Sequence, residues 1–112
     1  MILALHLGAH KTGTSHLQAA LALNAPALAT AGVLAPSLAE VRAAATQRLD
    51  EPSAVRAWLE GLAGTGARRA VISDENLPGG LAGYAKGGPM HPGLARRLEA
   101  FAAWPGGVEI YL

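Results

Sequence analysis

Ile2-Leu3-Ala4-Leu5-His6-Leu7, followed at once by Gly8-Ala9-His10-Lys11-Thr12-Gly13-Thr14-Ser15, is the stretch on which the fold turns. The first six residues are almost continuously apolar and stop at a glycine. A strand covered on both faces, as in a parallel sheet, has that composition, whereas a strand with one wet face alternates. From Thr14 the period changes, and Leu17, Ala20, Leu21 and Asn24 fall at helical spacing. A strand, a glycine loop and a helix in direct succession gather backbone N–H groups and the positive end of a helix dipole around one point. Such a point binds anions, phosphate above all. Gly13 lets backbone approach a ligand without a Cβ in the way. Thr12, Thr14 and Ser15 offer hydroxyls, and Lys11 brings a full positive charge.

Outward from this loop the chain reads as alternating elements. Asn24 caps a second short helix with Pro26 in its first turn, where a missing N–H costs little, and Gly32 ends it. Val33-Leu34 is a brief extended piece before Pro36. Leu38 to Leu49 is a modest helix with Leu38, Val41, Ala45 and Leu49 on one side. Asp50-Glu51-Pro52-Ser53 signals a helix start, and Val55, Trp58, Leu59 and Leu62 form the apolar stripe that follows, stopped by Gly64 and Gly66. Ala70-Val71-Ile72-Ser73 is a second buried strand. Gly79 to Pro89 is a glycine-rich loop. His91-Pro92 opens a helix with Leu94, Leu98 and Phe101 on its inner side, ended by Pro105-Gly106-Gly107, and Val108 to Leu112 is a third strand. This order implies an α/β fold with three layers, α/β/α, in which a parallel sheet is linked by right-handed crossovers. No repeat or linker divides the chain, so residues 1–112 are expected to form a single domain. The last strand has no helix after it, so the domain is expected to be incomplete at its C-terminus.

Composition narrows the function. Half of the 112 residues are apolar and the net charge is +1, which argues against disorder and gives no broad positive footprint for nucleic acid. The absence of cysteine removes disulfides, thiolate zinc sites and cysteine nucleophiles. Met1 to Leu5 is apolar but lacks a basic leader, so it reads as a strand and not a signal peptide. No apolar run reaches the ~20 residues of a membrane helix. A cytoplasmic protein is the expectation, and the oligomeric state has no signature in the sequence.

The loop has the glycine separation of the nucleotide-triphosphatase pattern G-x-x-x-x-G-K-[ST], between Gly8 and Gly13. Thr14 stands where that pattern has its lysine, and the lysine is displaced to Lys11. A triphosphatase needs its lysine at the β- and γ-phosphates, so a kinase or ATPase reading is weakened. Lys11-Thr12-Gly13-Thr14-Ser15 instead resembles the K-[ST]-G-T-[TS] loop of sulfotransferases, which holds the 5′-phosphosulfate of 3′-phosphoadenylyl sulfate (PAPS). His10 before it, Leu17-Gln18 after it, and Gly32-Val33-Leu34 with Pro36 are similar to a bacterial branch of that family.

The resemblance implies a P-loop-type three-layer α/β/α domain, of which this chain covers the N-terminal part. It implies that His10, Lys11, Thr12, Gly13, Thr14 and Ser15 bind PAPS, with Lys11 also offsetting charge on the leaving oxygen. It implies a catalytic base just after the second buried strand, where Glu75 matches best and Asp74 competes. The acceptor would be a small molecule or a carbohydrate bearing a hydroxyl or an amine, and no metal is needed. An arginine and a serine that hold the cofactor's 3′-phosphate in the family are due on and after the third strand, where the sequence reaches Leu112. This fragment alone is therefore not expected to supply the whole cofactor site.

Plainer readings stand beside these. Lys11 is otherwise a solvated loop lysine, and Asp74 or Glu75 otherwise caps a turn. His6 and His10 have the four-residue spacing of a zinc pair, but that spacing aligns ligands only on a helix. His6 reads as a packed strand residue, His16 as exposed, and His91 as part of a helix start. One member of each of the pairs Arg68-Arg69 and Arg96-Arg97 reaches the crevice, or the pairs are solvated surface charges. Phe101 and Trp58 are core candidates. The alternative functions are a P-loop small-molecule kinase, with Asp74 as its only candidate metal-holding aspartate, and a non-catalytic anion-binding remnant.

Overall fold

A four-stranded, all-parallel sheet organises the computed structural model, which describes residues 1–7, 14–77 and 98–111, with only the backbone of 14 and 15. Its strands are β1 (Ile2–His6), β2 (Val33–Leu34), β3 (Arg69–Ser73) and β4 (Val108–Tyr111), in the spatial order β2-β3-β1-β4. The α/β class and the parallel sheet are as the sequence implies. β1 lies inside the sheet, with Leu3 level with Ala70 and Val108, and Leu5 level with Ile72 and Ile110.

Level residues in a parallel sheet point to the same face. One face thus carries Leu3, Leu5, Ala70 and Ile72, and these join a single core with Val41, Val55, Leu59 and Phe101. Those last four sit on α2 (Leu38–Ala44), α3 (Pro52–Ala63) and α4 (Glu99–Ala102). Burying a side chain of this size stabilises by about 1.5–3 kcal/mol, so this face is the main source of stability. Phe101 is fully buried and Trp58 packs on the core from its edge, as their helical spacing suggests. The opposite face is mixed: His6 is level with Ser73 and Tyr111, Ile2 with Arg69, and Ala4 with Val71 and Glu109.

Three sequence expectations need correction. Asn24 does not start a second helix: α1 runs unbroken from Thr14 to Thr30 with Pro26 inside it. Asn24 Nδ2 donates back to the Ala20 carbonyl at 2.7 Å, and Thr30 Oγ1 donates to the Pro26 carbonyl at 3.1 Å. An interior proline costs roughly 3 kcal/mol, and the surrounding alanines, the best helix formers, offset it. Gly32, at φ +83°, does end the helix. The helix over Leu38 to Leu49 is shorter than expected: α2 stops at Ala44, Ala45 departs from helical dihedrals, and a 3₁₀ turn covers Thr46–Arg48. The break frees the Thr46 hydroxyl to reach Asp74 at 2.8 Å. Val33-Leu34 is a full edge strand, paired with Arg69 and Ala70, so the sheet has four strands and not three.

The remaining boundaries follow local signals. Ser37 caps α2, its Oγ accepting from Glu40 N at 3.2 Å. Pro52 occupies the first turn of α3, and Glu51 pairs with Arg48 instead of capping with its side chain. Gly106 passes so close to the first residue that a Cβ there would run into the Met1 carbonyl. Trp104 Nε1 donates to that carbonyl at 2.7 Å, tying the turn before β4 to the start of β1. The expected loop Gly79 to Pro89 and the helix start at His91 lie outside the described residues.

Candidate functional site

The chain leaves β1 toward β2, past β3, and leaves β3 toward β4, past β1. Adjacent strands whose connections depart in opposite directions open a crevice at their carboxyl ends, where ligands of open parallel sheets bind. Here those ends are His6-Leu7 and Ser73 to Leu77. His10, Lys11, Thr12 and Gly13 lie outside the described residues; Thr14 and Ser15 form the first turn of α1.

Asp74 and Glu75 are neighbours with different surroundings. Asp74 is fully buried. Its Oδ2 accepts from Arg42 Nε at 3.3 Å and Thr46 Oγ1 at 2.8 Å. Its Oδ1 accepts from Arg42 Nη2 at 3.4 Å and from the Asn76 backbone N–H at 3.0 Å. A carboxylate has about four acceptor positions, and all are used. Its carbonyl accepts from Leu77 N at 3.1 Å, closing a turn. Asp74 therefore shapes the segment: it fixes α2 and the 3₁₀ turn against the end of β3.

Glu75 is half-buried. Its Oε2 accepts from Gln18 Nε2 at 3.2 Å, and its Oε1 lies 3.6 Å from Arg42 Nη2. Gln18 also approaches the Ser73 carbonyl at 3.5 Å. Gln18 lies in the second turn of α1, the helix that follows residues 8–13, so one amide ties that helix to the segment after β3. Beside it, His6 Nδ1 and Ser73 Oγ are 3.0 Å apart on level strand positions. His6 is thus a strand residue with a polar partner at the sheet's carboxyl edge.

No family model, curated protein or solved structure matches this chain. Among the described residues, no three His, Asp or Glu side chains are grouped to hold a metal ion, and no helix is long and apolar enough to cross a membrane.

The structure brings together residues the sequence did not connect. Arg42, Thr46 and His6 join the site, and only Gln18 had a local signal, as the residue following Leu17 in the loop's continuation. Neither Arg68 nor Arg69 reaches the crevice: they open β3, at the opposite end of the sheet. Arg68 Nη2 donates to the Ala31 carbonyl at 2.7 Å and Arg69 pairs with Glu109. Arg96, Arg97 and His91 lie outside the described residues, and His16 is exposed.

Proposed function

We propose that the chain is the donor-binding part of a sulfotransferase that moves a sulfuryl group from PAPS to a hydroxyl or amine acceptor. The observation that carries this reading is the Gln18–Glu75 hydrogen bond, which holds a carboxylate at the mouth of the crevice against the helix that follows the phosphate-loop sequence. In this reading Lys11, with the N–H groups and hydroxyls of Thr12 to Ser15, holds the 5′-phosphosulfate and offsets charge on the bridging oxygen. The acceptor oxygen or nitrogen attacks sulfur, its proton passes to Glu75, and the S–O bond to the bridging oxygen breaks. 3′-Phosphoadenosine 5′-phosphate leaves.

The strand order supports the P-loop-type, three-layer form of the fold. The crossover from β1 to β2 runs opposite to those from β2 to β3 and from β3 to β4. If its crossovers are right-handed, as is usual, α1 falls on the sheet face opposite α2, α3 and α4. The saturation of Asp74 argues against the kinase alternative, because the candidate metal-holding aspartate has no acceptor position left.

The test is transfer of labelled sulfuryl from PAPS to a panel of alcohols, phenols, sugars and amines. Glu75→Gln is expected to lower the transfer rate about 10²–10⁴-fold while leaving the affinity for 3′-phosphoadenosine 5′-phosphate unchanged. An unchanged rate in Glu75→Gln removes the base from the mechanism. Transfer from ATP with magnesium, and none from PAPS, replaces the reading with the kinase one.

A further inference from the structure

We propose that the acceptor is an uncharged, largely apolar alcohol or phenol of one or two rings, held in a cavity between α1 and the segment joining β2 to α2. The proposal rests on the sulfotransferase reading and adds the substrate class and its place. The cavity has a volume of about 390 Å³, near the lower end of the ~300–1,000 Å³ range of small-molecule sites. Leu21, Ala22 and Ala25 of α1 form one wall, and Ala35, Pro36 and Leu38 form the other.

Gln18, Ser37, Glu40 and Ser73 supply the cavity's polar groups. Gln18 donates to Glu75 at 3.2 Å, so that carboxylate stands behind a lining residue, one side chain away from the cavity. A hydroxyl that reaches Gln18 would approach the carboxylate that is to take its proton, with the apolar body of the molecule between the two walls. Ser37 Oγ already accepts from Glu40 N, and Glu40 Oε1 accepts from Trp58 Nε1.

The lining disfavours the competing acceptors. The leucines, alanines and proline of the walls offer no side-chain hydrogen-bonding group, and Gln18, Ser37 and Glu40 already hold partners, so a sugar would find few groups for its hydroxyls. An anionic acceptor would meet the Glu40 carboxylate in the lining and the Glu75 carboxylate behind Gln18, and the nearby cation, Arg42, is already paired with Asp74 and Glu75. The alanines at 22, 25 and 35 leave the room, and they set the size limit.

Calorimetry and ligand-observed NMR test this with 2-naphthol, methyl glucoside and 3′-phosphoadenosine 5′-phosphate, each titrated into the wild-type chain and Ala22→Phe. The expected result is saturable binding of 2-naphthol, none of methyl glucoside, and at least tenfold weaker 2-naphthol binding in Ala22→Phe with nucleotide affinity unchanged. If Ala22→Phe loses the native circular-dichroism spectrum, Ala25→Leu narrows the same wall in its place. Absence of 2-naphthol binding, equal binding in the narrowed variant, or preference for the glucoside overturns the proposal. Binding of 2-naphthol without binding of the nucleotide overturns the sulfotransferase reading instead, and the cavity then stands as a site for an apolar alcohol alone.

Discussion

At the amino edge of the sheet, polar groups close the fold: Trp104 holds the Met1 carbonyl, Arg68 holds the Ala31 carbonyl, and Arg69 pairs with Glu109 across β1. At the carboxyl edge, Asp74 does the same work, while Glu75, Gln18, His6 and Ser73 meet around a crevice beside a cavity. The parallel arrangement produces this asymmetry, since every strand sends its outgoing segment to one end. Substitutions at the amino edge should therefore change stability alone. Those at the carboxyl edge should divide between stability and chemistry, residue by residue.

The sharpest division is expected between Asp74 and Glu75. Asp74→Ala removes the acceptor for two Arg42 nitrogens, the Thr46 hydroxyl and the Asn76 N–H. Breaking a buried pair costs ~3–5 kcal/mol. Arg42, with its side chain 35% exposed, recovers some hydration, so a loss of about 2–4 kcal/mol in urea unfolding is expected. Glu75→Gln should shift the same midpoint little, and equal losses in the two variants would erase the distinction between them. Next in size is Gly106→Ala, whose Cβ meets the Met1 carbonyl. It should cost about 1–3 kcal/mol, the usual effect of overpacking, and leave ligand binding as it was. Smallest is Arg69→Ala: its ion pair with Glu109 is more than a third exposed on both sides, and exposed pairs contribute about 0–1 kcal/mol. A larger thermal shift there would mean that this ion pair contributes more to stability than its exposure suggests.

Much of the sheet was legible from composition. β1 and most of β3 are short apolar runs, in which Leu3, Ala4, Leu5, Ala70 and Ile72 are buried, whereas β4 carries Glu109 and exposes Ile110 and Tyr111. β2 is two residues long, too short for any period, and only its pairing with Arg69 and Ala70 makes it a strand. The unbroken α1 was hidden by Pro26, because the usual proline rule is local and the alanine-rich turns around it override that rule. The acidic segment after β3 was visible, but its division of labour was not. Gln18 and Glu75 are 57 residues apart and Arg42 and Asp74 are 32 apart, so only the assembled fold selects which carboxylate each one meets.

The proposed function depends on Lys11 reaching the donor's phosphosulfate. Isothermal titration of the wild-type chain and Lys11→Ala with 3′-phosphoadenosine 5′-phosphate tests it most directly. One site per chain is expected, with a loss of about 1.5–3 kcal/mol, roughly ten- to a hundredfold, on removing the charged donor. No binding to the wild type, or the same affinity in both proteins, would contradict it.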